Sequence, residues 1–267
     1  MTREATEPIP DTDADRAIMA FIRESRKAST LPRVGPFALL LTDVTRLRFL
    51  NYGIPDDGAD PDDAAVALLV AAFRTADRLP RVEFLPSVAP ALEPVLASHG
   101  WTVEDRLPLM TCTTRTVRDL TPPEGILVQA PSDDVELLDM ARLQHDVFDD
   151  PEPVDDRTVA RLRGSLGRGA NALICFDAHT RRMVGAAQAG VPAGGATEIV
   201  GVAVAASHRR RGLAATMVSV LTHQAFAEGL TTVFLEAAPG ADGAYRNAGF
   251  ERTSTSVHMS LGGDTHA

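Results

Sequence analysis

Apolar residues in this chain recur with two periods, and the switching between them predicts strands and helices in turn. Short apolar or alternating runs read as strands: FALLLT (Phe37–Thr42) and RLRFLNYGI (Arg46–Ile54) around a turn at Asp43, RVEFLP (Arg81–Pro86), and WTVEDRLPLMTCTT (Trp101–Thr114). Between them lie a helix predicted from Asp13 to Lys27, a strongly apolar helix capped by Asp62 or Asp63, and a short helix over Ala89–His99 closed by Gly100. A second series follows. ILVQA is a strand, Ser132 caps a helix running to Phe148, and Asp156–Leu166 is another helix. ANALICFDA and RMVGAAQAGV form a hairpin across His179–Arg181, and TEIVGVAVA is a third strand. A helix then runs to Glu228, TTVFLEA is a strand, a short helix ends at Ala248, and a last strand starts at Phe250.

The two series share an order. Val82–Trp101 and Val233–Phe250 both read strand, proline-bearing loop, short helix, then glycine and an aromatic entering a strand, and an alanine-rich helix precedes each. This predicts an internal duplication of an α+β unit with a mixed sheet. The segment Arg115–Gly125, with Pro122-Pro123 and no hydrophobic period, is the predicted connection, with domains over 1–118 and 126–267 and a linker over 119–125.

Composition changes this picture mainly by exclusion. The chain has 267 residues, 45% of them apolar, which supports a substantial core. A formal charge of −10 argues against general nucleic-acid binding and against attraction to anionic lipid. The acidic start MTREATEPIPDTDADR does not read as a signal peptide, and no apolar run is long enough to span a bilayer, so a cytoplasmic protein is expected. Cys112 and Cys175 sit in strand-like apolar runs and read as buried hydrophobes, neither disulfide nor metal pair. His145 and His258 join no metal-like cluster.

The candidate chemistry lies at His208–Met217 (HRRRGLAATM), between the strand EIVGVAV and a helix. Backbone N–H groups at a helix start are unpaired and carry partial positive charge, which suits a pyrophosphate. Gly212 allows close backbone approach and neighbouring arginines add charge-assisted contacts. The same spacing recurs at Arg182, Gly185 and Ala187, but inside a continuous strand, where no loop amides are free. The lysine-bearing Walker loop is absent.

Taken with VFLEA and AYRNAGF, this stretch resembles the GNAT acetyltransferase superfamily from about Ile126 onward. The resemblance implies two such units, each a mixed, mostly antiparallel twisted sheet flanked by helices, the first a degenerate copy without the arginine–glycine turn. It implies acetyl-CoA as cosubstrate and no metal. The pantetheine arm would pair with the main chain of Val202, Ala203 and Val204, and the pyrophosphate with the amides of Arg209, Arg210, Arg211, Gly212, Leu213, Ala214 and Ala215. Tyr245 is the candidate acid for the CoA sulfur, or a packing residue under its helix. Glu198 is a candidate base, or a strand-end charge in solvent; strict alternation places it on one face with Val200, Val202 and Val204. The expected activity is direct N-acetylation of a small primary amine by a monomer or homodimer. A non-catalytic acyl-CoA sensor or scaffold, and a transferase for a larger acyl group, are the alternatives. The acidic run Asp149–Asp156 is either a rim favouring a cationic amine or a solvated loop. Ala238 stands where many members carry a pantetheine-binding asparagine.

Overall fold

A computed structural model describes residues 12–26, 31–42, 48–149 and 153–262. In chain order the elements are α1 (Thr12–Ser25), β1 (Arg33–Val34), β2 (Phe37–Leu40), β3 (Tyr52–Pro55), α2 (Asp63–Thr75), β4 (Arg81–Phe84), α3 (Leu92–Ser98), β5 (Thr102–Cys112), β6 (Ile126–Gln129), α4 (Asp134–Phe148), α5 (Asp156–Leu166), β7 (Asn171–Asp177), β8 (Met183–Ala189), β9 (Ala196–Val204), α6 (Leu213–Ala227), β10 (Thr232–Glu236), α7 (Asp242–Ala248) and β11 (Glu251–Ser260). This is the α+β alternation that the hydrophobic periods predict. The turn expected at Asp43 falls outside the described residues, and Arg48–Leu50 is a 3-10 turn, so the strand expected from Arg46 begins at Tyr52.

The chain forms two compact units, Met1–Leu109 with Arg252–Ala267, and Met110–Glu251. This differs from a linear division at 119–125. The last strand belongs to the first unit because β11 pairs antiparallel with β4, from Val257 opposite Phe84 to Ser260 opposite Arg81. Its side chains Val257 and Met259 join Phe37, Leu69, Phe73, Val82, Leu92 and Trp101 in one apolar cluster. In this unit the strand order is β1-β2-β3-β4-β11-β5, with β3 and β4 parallel.

The second unit orders its strands β10-β9-β8-β7-β6, antiparallel except for the parallel β9–β10 pair. Helices cover both faces. On one face, α4 buries Leu137, Met140 and Ala141, and α5 buries Val159 and Leu162, against Ile174 and Ala186. On the other, α6 and α7 pack Leu213, Met217, Leu221, Tyr245 and Ala248 against Leu173, Cys175, Ile199 and Val233.

The expected linker is not a loose tether. Ser219 Oγ donates to Arg118 O at 2.6 Å, the Arg118 N–H donates to Ala248 O at 3.1 Å, and Leu120 packs on the α6 cluster. That strap covers the polar side of α6, which is why Thr216 and Ser219 are buried in a helix with no exposed face there. It also explains Gly249: with φ +100, a Cβ there would lie 2.0 Å from Thr116 O. The cap of α4 is Asp133, whose carboxylate accepts from the Glu136 N–H, whereas Ser132 donates to the Glu136 carboxylate from outside the helix.

Candidate functional site

β9 pairs with β10 over Ala196–Glu198 against Thr232–Phe234, and past Glu198 its register runs against β8 alone. Ala203 sits opposite Ala186, and the Ala205 N–H donates to Val184 O at 2.9 Å. Alternation along an antiparallel ladder therefore turns the N–H and C=O groups of Val202 and Val204 away from β8, toward the side where β10 no longer pairs. An extended amide-bearing ligand can add to such an edge.

A bulge interrupts this strand. Val200 faces Gln188 and Ala203 faces Ala186, so three steps on β9 match two on β8. Gly201, at φ +62, occupies the bulge. Gln144 of α4 covers it: its Nε2 donates to Gly201 O at 2.7 Å, and a Cβ on Gly201 would lie 2.4 Å from that nitrogen. Gln188 Nε2 lies 3.4 Å from Gln144 Oε1. The extra residue reverses the alternation. Ile199, Val202 and Val204 all pack on the α6 cluster, so Glu198 and Val200 lie on the opposite face, toward α4. The single-face arrangement expected for Glu198, Val202 and Val204 does not hold.

After Val204 come a 3-10 turn (Ala206–His208), Arg209 in extended backbone, Arg210 at φ +60 and Gly212 at φ +86, the residue from which α6 starts. Around Gly212 there is open space, so its backbone angle, not crowding, favours glycine. Among the described residues no group accepts from the N–H of Arg210, Arg211, Gly212, Leu213, Ala214 or Ala215; the first helical donor is Thr216, to Gly212 O at 2.9 Å. The other long helices of this unit start differently, with Asp133 and Asp155 each capping with a carboxylate. At α6 no side chain caps, and Arg210 and Arg211 stand exposed. Uncapped amides, the positive end of a helix dipole and two arginines are together groups that can hold an anion. Arg209 differs from its neighbours: its Nε donates back to Val204 O at 3.2 Å.

Tyr245 lies on α7, the residue 8% exposed within the α6 cluster, and no described residue hydrogen-bonds its hydroxyl. Burial raises its pKa above the ordinary phenol value, so it stays protonated at neutral pH. The two thiols are free and buried. Burial raises Cys112 and pushes Cys175 up to about 12.

The acidic run divides. Asp150, Pro151 and Glu152 lie outside the described residues, and Asp155 caps α5 by accepting from the Arg157 and Thr158 N–H groups, its pKa lowered chiefly by Thr158. His258 is buried in the first unit with Nδ1 3.0 Å from Arg81 Nη2 and Nε2 3.2 Å from Ser256 Oγ. A guanidinium only donates, so Nδ1 accepts and the ring is part of a structural network. Among the described residues no group of three or more His, Cys, Asp and Glu side chains could hold a metal ion, and no helix is long and apolar enough to cross a membrane.

Residues 137–250 match the acetyltransferase (GNAT) family. A GCN5-related N-acetyltransferase from Kribbella flavida is 26% identical over 93% of this chain and 96% of its own, with a TM-score of 0.75. A tandem GNAT protein from the clavulanic acid biosynthesis pathway (14% identical, 96% and 97% covered, TM-score 0.61) and a GCN5-related N-acetyltransferase from Sphaerobacter thermophilus (15%, 95% and 94%, TM-score 0.60) share the fold. No curated protein matches significantly. The family match lies within the second unit, and the structural likeness over nearly the whole chain shows a GNAT-like fold.

The GNAT match spans α4 through α7 and so contains the whole turn and Tyr245. Sequence reasoning gave no role to His208 and did not single out Gln144, Gln188 or Asp177. One signal for the first two was present: an isolated glycine inside a strand pattern, Gly201, marks a bulge or a close approach.

Proposed function

We propose that this chain is an N-acetyltransferase that moves the acetyl group of acetyl-CoA directly to a primary amine of a small molecule, with the second unit catalytic and the first a degenerate copy. The observation that carries the reading is the run of N–H groups from Arg210 to Ala215, where β9 gives way to α6, for which no acceptor stands among the described residues.

The residues present fit the coenzyme. The amides of Arg210–Ala215, with Arg210 and Arg211, would hold its diphosphate, and the outward groups of Val202 and Val204 its amide-bearing arm. The bound thioester supplies an activated acetyl group. The chain supplies the proton work: the Tyr245 hydroxyl, kept protonated by burial, gives its proton to the departing sulfur. Glu198 can take the amine proton only from the α4 face of β9, directly or through water. A strand N–H near Val204 would meet the charge developing on the carbonyl oxygen. Neither cysteine serves as an acyl carrier at neutral pH, because thiolate is the nucleophilic form and burial suppresses it.

The corresponding connection of the first unit supports degeneracy. There β3 leads into α2, and β4 returns parallel to β3, as β9, α6 and β10 do. In place of free amides and arginines it has Asp56, Asp57, Asp60 and Asp63, and the Asp62 carboxylate accepts from the Ala65 N–H at 2.8 Å. The Asp56, Gly58 and Ala59 N–H groups are spent on Pro36, Val88 and Asp56 carbonyls. Arg23 and Arg33 reach this loop but are spent on Asp57 and Asp56, and the further carboxylates of Asp60 and Asp63 leave it acidic, which disfavours a diphosphate.

Titration calorimetry with CoA tests the reading. Binding at one site is expected, and Arg210→Ala and Arg211→Ala should each weaken it by on the order of tenfold. Absence of binding by the unaltered protein overturns the coenzyme assignment. Binding with no thiol release across an amine library favours the sensor alternative.

A further inference from the structure

The 3-10 turn that leads into the unpaired amides is anchored by a side chain. His208 is turned inward, its side chain 12% exposed, with Nε2 3.1 Å from Asp177 Oδ2 and Nδ1 2.9 Å from Ser207 Oγ. A carboxylate only accepts, so Nε2 carries the proton. Asp177 ends β7, and its other oxygen accepts from the N–H groups of His179 at 3.0 Å and Thr180 at 2.8 Å, closing the β7–β8 hairpin. Those amides, Thr180 foremost, and the His208 ring hold its carboxyl well below the usual carboxylate range. The anchor is therefore charged at neutral pH and fixed by its own hairpin. The segment it anchors needs fixing: Arg210, two residues beyond His208, is a non-glycine residue in left-handed backbone, and among the described residues the amides that follow have no acceptor to hold their direction.

We propose that His208 is a positioning residue: its bridge to Asp177 ties the β7–β8 hairpin to the β9–α6 turn and sets the direction of the Arg210–Ala215 amides before the coenzyme arrives. This rests on the coenzyme reading above and extends it to a residue that lies outside the Arg210–Ala215 amides and bonds to Asp177 and Ser207. The effect is one of preorganisation, in which a bound geometry held in advance costs less to reach.

Two measurements test it, one without coenzyme. Hydrogen–deuterium exchange of the free protein should show faster exchange over Ala206–Ala215 in His208→Ala. Calorimetry should show CoA affinity lowered on the order of tenfold, with turnover at saturating acetyl-CoA near that of the unaltered enzyme. His208→Gln, whose amide nitrogen reaches about as far as Nε2, should recover affinity to within about threefold. His208→Ala added to Asp177→Ala should cost nothing more than Asp177→Ala alone. Unchanged exchange and unchanged affinity in His208→Ala, or no recovery in His208→Gln, overturn the proposal. If His208→Ala does not fold, Asp177→Asn carries the test: it keeps an acceptor for the hairpin amides, and equal exchange there sinks the idea. If the unaltered protein does not bind CoA, the coenzyme reading fails while the exchange arm still decides whether His208 orders the turn.

Discussion

Tyr245 and Cys175 are two weak acids in one apolar cluster, and burial acts on both in the same direction. For the phenol this helps: burial raises its pKa, so the protonated, proton-giving form and the activity that depends on it persist through the ordinary phenol range and are lost only at higher pH. Tyr245→Phe should lower turnover roughly a hundredfold with CoA affinity unchanged, as calorimetry beside steady-state kinetics would show. For the thiol burial is disabling. With Cys175 at about 12, roughly one molecule in ten thousand is thiolate at pH 8. An alkylating reagent should leave it unlabelled in the folded protein by mass spectrometry and label it on unfolding. The arginine–glycine turn was legible because its neighbours in sequence are its neighbours in space, whereas Tyr245 was named through the resemblance and packs against residues distant in sequence. His208 and Asp177, 31 residues apart, and Gln144 and Gly201, 57 apart, meet only in the fold, so no local pattern announces them.

Among the elements, the order of helices and strands follows from hydrophobic period almost throughout, and the aspartate caps at Asp62 and Asp155 are of the kind that composition foretells. What period alone misses is a change of phase. One extra residue at Gly201 turns Glu198 to the other face of β9 from Val202 and Val204, and pairing with a neighbour decides that. Two glycines separate the reasons for the residue type. At Gly249 an added methyl group meets Thr116 O at 2.0 Å with φ +100, so Gly249→Ala should cost about 3 kcal/mol or more. At Gly212, φ is +86 and nothing lies within 4 Å, so Gly212→Ala should cost about 1–2 kcal/mol. Thermal melts of the two variants check the ranking, and equal shifts would contradict it.

For the molecule as a whole, the repeat is visible in sequence but the destination of the last strand is not, since an alternating strand fits any open edge of matching face. It lies in the first unit, where Val257 and Met259 are buried to 0% and 1% exposure. Each contributes roughly 1.5–3 kcal/mol of burial. Removing Arg252–Ala267 should therefore leave Met1–Leu109 sensitive to protease while Met110–Glu251 retains CoA binding; equal resistance of both parts would argue against the shared strand. The interleaving has a consequence for biosynthesis. A ribosome that has made the first 109 residues has not yet made the strand that completes their sheet, and must translate the entire second unit first, a wait on the order of ten seconds. During that interval β4 presents an unpartnered edge and an open apolar cluster, so the nascent chain, not the finished protein, is the form that calls for chaperone protection.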